Sequence, residues 1–386
     1  MRVNLLFIGL LIADSLLLGT MIGQISISSQ EAYGIFEQKG YVFSFARFFL
    51  QCFGQNDFAL RLPFLFVHLC NICLIFSICK NYLTKPQDSL LCALIYSLLP
   101  GINITSILVS QSVFIVFFAL LLCFFHLKKL HIPFFILCIL GSLLDISFSV
   151  IFLALFFYAL RFKQNKLLVF SLVGFSINMY CFSLPIGGLP RGHFLDTVGL
   201  LALLYSPLLL IFYIFTLYQG IVKKENSLML YIATTSILFS LLLSLRQAID
   251  FFSFLPLSTI GLPIMIKDFL HSIRLRLPQF RKAYLRRFYI ILIPLVFESI
   301  LLFGNKFLFL FEPKRHFLSN FYFAKELAQT LKSQNITSLK TFPSLQAQLK
   351  FYGISQSSRP ILKSNNQGKI KIIYLGKNAK AYSLKE

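Results

Sequence analysis

Long apolar runs separated by short polar seams set the pattern of this chain from Val3 to about residue 309. Most runs are about 17 to 25 residues long, the length of helix that crosses a hydrocarbon core. They predict membrane spans over roughly 3–23, 62–79, 89–99, 104–125, 167–184, 198–218, 228–245, 251–266 and 288–309, with Pro100-Gly101 dividing the third from the fourth. The block 132–160 is interrupted at Asp145-Ile146-Ser147 and predicts a hairpin of two short spans. About eleven spans result.

Two segments escape the pattern. Residues 24–61, between the first two spans, read as an aromatic-rich loop that carries Glu31, Glu37, Lys39, Arg47, Asp57 and Arg61. Beyond about residue 310 the chain turns polar. There the spacing of Leu327 and Leu331 predicts a helix over 323–334, 346–352 predicts a second helix ending at Gly353, and 338–342 and 369–374 read as short strands. The expected fold class is an all-α polytopic membrane protein with a small C-terminal α/β extramembrane domain. Residues 1–310 form the membrane part, whose loop 24–61 carries the candidate site, and residues 311–386 form the cap. The basic cap either rests on anionic headgroups or packs as a solvated tail on the loops.

Composition agrees with a membrane class. Of the 386 residues 57% are hydrophobic and 13% charged, where soluble proteins carry roughly 25% charged residues. The net charge of +22 would suggest nucleic acid in a soluble protein. Here the Lys/Arg clusters (80/85, 128/129, 161–166, 223/224, 267–287) occupy alternate seams. With the N-terminus in the cytoplasm they all fall inside, the C-terminus falls outside, and the excess of cations needs no nucleic-acid partner. The N-terminal run lacks a small-x-small cleavage pattern and reads as an uncleaved first span. Of eight cysteines all but Cys52 lie in apolar runs or at their ends, and Cys70 and Cys73 read as an inert pair within a span. Neither disulfides nor a structural metal are expected, and no cofactor is indicated.

The same topology sends Glu31, Glu37, Asp57, Asp145, Asp196 and Asp250 to the non-cytoplasmic ends of spans, together with Arg47, Arg61, Arg191, His193 and Arg246. Arginine holds a phosphate in a fork and a carboxylate accepts a proton, so this set suits a polar phosphate-bearing substrate. The plainer alternative is a set of loop charges and interfacial salt bridges. Asp14 and Glu298 lie inside spans. They read as members of a proton relay or as paired structural carboxylates. A secondary transporter is a third and weaker reading, since no inverted repeat with broken helices is evident.

The stretch Glu31-Ala32-Tyr33-Gly34, then Lys39, Phe53-Gly54 and Phe58-Ala59-Leu60-Arg61-Leu62-Pro63 resembles the first-loop motifs of membrane glycosyltransferases with the C-type fold (GT-C), in the group of protein mannosyltransferases and lipid A aminoarabinose transferases. Arg191-Gly192-His193 before Ser206-Pro207, Arg246 before Phe254-Leu255-Pro256, and Leu349-Lys350-Phe351-Tyr352-Gly353 follow in the family's order. The resemblance implies hexosyl or pentosyl transfer, inverting or retaining. The sugar would pass from a polyprenyl-phosphate donor to an envelope lipid, glycan or protein at the non-cytoplasmic face of a bacterial inner membrane. In that family the loop aspartate is the base on the acceptor and basic residues hold the donor phosphate. Here Glu31, the ionisable neighbour of the aspartate position, is the candidate catalytic base, with Lys39, Arg61, Arg191, His193 and Arg246 as candidate substrate contacts. Three positions depart from the pattern. Gln30 stands at the family's aspartate, Gln111 near its second acidic motif, and Gly40-Tyr41 in place of Pro-Pro. An alternative is therefore a catalytically degenerate protein of the same fold that binds a lipid-linked intermediate or a partner.

Overall fold

The computed structural model of the chain describes residues 2–183, 187, 192–304, 306, 321–364, 368, 370–374 and 377–385. These residues are mainly helical and include a small C-terminal sheet. They divide into two compact units: residues 1–15, 66–106 and 110–299 form one, and residues 16–65, 107–109 and 300–386 the other.

Among the described residues, α1 (Arg2–Gln24), α4 (Asp57–Tyr82) and α10 (Asn165–Phe182) are long and apolar enough to cross a membrane. The number becomes five if each of two bent pairs is one span. The first pair is α5 (Pro86–Leu98) with α6 (Pro100–Ile107), bent by 64°. Proline at position 100 pushes Leu99 out of the helical region, to φ −63° and ψ 117°. The second is α11 (Phe194–Tyr205) with α12 (Pro207–Val222), bent by 98°. The sequence pattern predicts one straight span over 198–218. Instead Ser206, in front of Pro207, takes φ 77° and ψ 146°, and the helix breaks there.

Other expected spans are shorter or differently divided. The run 104–125 separates into α6 and α7 (Ser112–Leu127) at residues 108–111. The block 132–160 becomes α8 (His131–Ser142) and α9 (Phe148–Arg161), with the break where Asp145 was expected to place it. The ninth run is α13 (Leu228–Ser244). The tenth is a 3-10 helix (Leu255–Gly261) followed by α14 (Leu262–Leu275), and α15 (Pro278–Phe303) takes the last.

The core of the first unit is made by Ile72, Tyr96, Leu120, Phe152, Leu204, Leu230 and Leu257, all fully or almost fully buried. Gly174 of α10 lets the Phe152 ring of α9 come up against the helix, where a Cβ would overlap it. Lys129, Lys163 and Lys224 follow α7, α9 and α12 with φ of 58°, 55° and 57°. Each stands where glycine commonly ends a helix, and each puts a cation at the negative end of the helix dipole.

In the second unit the stretch 24–61 is folded, not a loop. It holds α2 (Ser29–Phe36) and α3 (Tyr41–Phe53). Helix α3 buries Val42 and Ala46, while Phe45, Phe48 and Phe53 stay exposed. The C-terminal helices α16 (Ala324–Ser333) and α17 (Pro343–Phe351) lie where the pattern puts them, and Leu327 and Leu331 are buried as expected. Gly353 ends α17 at φ 83°. The sheet has four strands in the order β1-β2-β4-β3, where β1 is Ser338–Lys340, β2 Ser355–Ser364, β3 Ile370–Tyr374 and β4 Lys377–Lys385. Strand β1 runs parallel to β2, and the other pairs are antiparallel. Strands β2 and β4 were not expected. Pro360 in β2 falls between the residues that open the β1 ladder (355 and 356) and those that pair with β4 (361–364), so its missing N–H breaks neither run of bonds.

Candidate functional site

The second unit contains a buried ionic node built on the segment 25–28. Ser28 caps α2: its hydroxyl accepts from Glu31 N at 3.1 Å, while Ser28 N donates to Glu31 Oε2 at 2.9 Å. This reciprocal capping box satisfies two backbone donors, and caps of this kind are typically worth about 1 kcal/mol. It also turns the Glu31 carboxylate inward, to 5% exposure. Arg61, one turn into α4, is fully buried and donates to the same Oε2 at 3.1 Å. The remaining oxygen, Oε1, accepts Val109 N at 2.9 Å.

Arg61 does more than neutralise Glu31. Its Nη1 donates to Ile25 O at 2.7 Å and its Nη2 to Ser26 O at 2.9 Å. Other side chains complete the stitching of this segment. Ile27 N donates to the Tyr352 hydroxyl at 3.0 Å, and Gln348 Nε2 donates to Ile27 O at 2.6 Å. Ser26 N bonds Phe321 O at 2.9 Å. A short non-helical connector thus has its buried backbone groups paired one by one, as burial demands. Arg61 Nε has no partner among the described residues.

Beside this node lies a second carboxylate. Asp57, 4% exposed at the start of α4, accepts Tyr352 Oη at 2.7 Å and pairs with Lys325 Nζ at 2.7 Å. Burial, and then the Asp57 charge, push the Tyr352 phenol well above its ordinary range. It therefore stays protonated and donates to Asp57 while accepting from Ile27 N. Asn56 caps α4 through Ala59 N at 2.7 Å. A cavity of about 270 Å³ opens next to these groups and is lined by Asp57, Lys325, Lys332 and Tyr352 among others.

The residues singled out by sequence fall in different places. Glu31 and Arg61 meet directly. Lys39 is exposed in the turn between α2 and α3. His193 precedes α11, with its ring nitrogen 3.4 Å from Asp196, and Arg246 is exposed after α13. Both belong to the first unit, and Arg191 lies outside the described residues. Gln30 is exposed on α2, while Gln111 reaches the Ser253 hydroxyl, itself bonded to Asp250 at 3.1 Å.

Sequence reasoning missed Lys325 and Gln348, which lie some 270 to 320 positions from their partners and carry no local signal. It also missed His68. That side chain is 1% exposed, 3.2 Å from Asp14 and stacked on Tyr96, which makes Asp14 a paired carboxylate. Two lone ionisable residues in neighbouring apolar runs were the available signal.

A scan against protein-family models, a search of curated proteins and a search of solved structures each find no match to this chain.

Proposed function

We propose that the chain is an integral membrane protein of GT-C type that moves a sugar from a polyprenyl-phosphate donor to an envelope lipid, glycan or protein. It would have about eleven spans in a bacterial inner membrane, with its N-terminus cytoplasmic and its C-terminus, like the acceptor, on the opposite face. The observation that supports this reading best is the closure of Arg61 on Glu31. Two pieces of the resembled motif, thirty positions apart, come together and hold the first-loop segment in one conformation. A lipid-phosphate leaving group sits at the membrane boundary by its own chemistry, so positioning, positive charge and a base are what a protein must add. Lys39, Arg191, His193 and Arg246 are the proposed phosphate or substrate contacts, and Glu31 is the proposed base. Arg61, read from sequence as a further contact, is fully buried and spends its Nη groups on Glu31, Ile25 O and Ser26 O.

One observation favours a second reading. Both Glu31 oxygens already accept hydrogen bonds, and Gln30 and Gln111 cannot take a proton. On this reading the chain binds a polyprenyl-phosphate intermediate without turnover, and Glu31 only holds the fold. Transfer assays on the folded Glu31→Gln protein with a panel of polyprenyl-phosphate hexoses and pentoses separate the two. Loss of transfer with retained lipid binding supports Glu31 as base, and survival of transfer removes it from that role. Binding without transfer by the unaltered protein, across the whole panel, supports the second reading.

A further inference from the structure

One cavity belongs to neither the Glu31 node nor the other candidate contacts. It has a volume of about 420 Å³ and lies in the first unit, where the turn between α7 and α8 meets the turn between α9 and α10. His126, His131, Lys163, Gln164, Asn165 and Lys166 supply its polar lining. A second cavity of about 310 Å³ shares His126 and His131 and adds Lys129. Neither lining contains a carboxylate. Among the described residues, none of the three lysines has an acidic partner within ion-pair distance. Two of these cations stand on the first acid-free lining and the third on the adjoining one, a concentration of positive charge that favours a bound anion. The first turns of α8 and α10, which have no side-chain caps, add backbone N–H groups to the same rim.

What lies beyond the rim selects the kind of anion. Helices α8 and α10 both start at the cavity. Their exposed faces carry Ile132, Ile136 and Leu140 on one and Val169, Val173 and Ile177 on the other, each at four-residue spacing. Between the helices Phe135, which also lines the cavity, packs edge-on against Phe170 at 4.8 Å. A charged head thus opens onto an apolar furrow floored by rings. We propose that this cavity binds the phosphate headgroup of an anionic phospholipid whose acyl chain lies in the α8–α10 furrow. Basic pockets between membrane helices are known receivers of such headgroups. The site rests on the membrane reading of the chain and is independent of sugar transfer.

The test uses the full chain purified in a neutral detergent, with native mass spectrometry reading the retention of added lipid. Phosphatidylglycerol is expected to be retained about tenfold or more over phosphatidylcholine. The double variant Lys163→Gln/Lys166→Gln should lower phosphatidylglycerol retention about tenfold. Lys163→Arg/Lys166→Arg should keep it, as should Lys282→Gln/Arg286→Gln, which removes two cations from α15. If the glutamine variant fails to fold, hydrogen exchange on the unaltered protein gives the second readout: phosphatidylglycerol should slow exchange at residues 129–132 and 162–167. Equal retention of the two lipids, unchanged retention in the glutamine variant, loss in the α15 variant equal to that at the cavity, or no local slowing would overturn the proposal. Displacement of the lipid by inorganic phosphate at equal concentration would identify a soluble phosphate site and overturn the lipid assignment.

Discussion

Arg61 Nη2 lies 3.1 Å from Glu31 Oε2, and neither side chain is open to solvent. Removing one partner leaves the other charge buried and uncompensated, a loss of about 3–5 kcal/mol in buried pairs. Arg61→Met should therefore lower stability by that order, read as the midpoint of thermal unfolding in detergent. Replacing both, Arg61→Met with Glu31→Leu, should recover part of the loss, because no lone charge remains. A double variant as unstable as the sum of the singles would show that the two side chains act separately.

Tyr352→Phe takes away one hydroxyl that serves Asp57 and Ile27 N together. Stranding buried polar groups costs about 1–3 kcal/mol. The loss should appear locally, as faster hydrogen exchange across residues 25–28 and faster proteolysis there. Unchanged protection of this segment would mean that the phenol is not one of its ties.

The raised Tyr352 phenol also has a pH consequence. The folded state holds the proton more tightly than the unfolded chain, so the contribution is complete below the unfolded phenol value of about 10 and is lost as pH rises above it. Between about pH 10 and 11 the unaltered protein should lose stability more steeply than Tyr352→Phe. Parallel pH curves would remove Tyr352 as the source.

Gly34 tests the packing of α2 on α3. A Cβ at this position would overlap the ring of Phe43. Gly34→Ala should destabilise by about 1–3 kcal/mol, as overpacking does. Phe43→Ala in the same chain should restore much of it, and failure of that rescue would place the strain elsewhere.

Some of this architecture is written locally in the sequence. The α8–α9 break shows because Asp145 and Ser147 interrupt an apolar block, and α16 shows because Leu327 and Leu331 repeat at helical spacing. The bend at Ser206 is harder to read: apolar residues continue on both sides, and Pro207 is compatible with a helix start. Helices α2 and α3 hide because Gly34, Lys39 and Gly40 punctuate them like a loop, although Ser28 and Glu31 spell a capping box. Strand β2 begins Ser355-Gln356-Ser357-Ser358 and has no apolar alternation there; its place comes from neighbours on both sides. Of the candidate site, Glu31 and Arg61 were visible as scarce charges in one stretch. Their meeting, and the grip of Lys325, Gln348 and Tyr352 on that stretch, depend on contacts that no periodicity records.

A chain that handles a polyprenyl-phosphate substrate, as proposed, should bind undecaprenyl phosphate as the purified, folded protein. The expected result is saturable binding that exceeds binding of the uncharged undecaprenol by about tenfold, the scale of one strong charge-assisted contact. Equal binding of the phosphate and the alcohol, or none of either by protein that unfolds cooperatively, would contradict it.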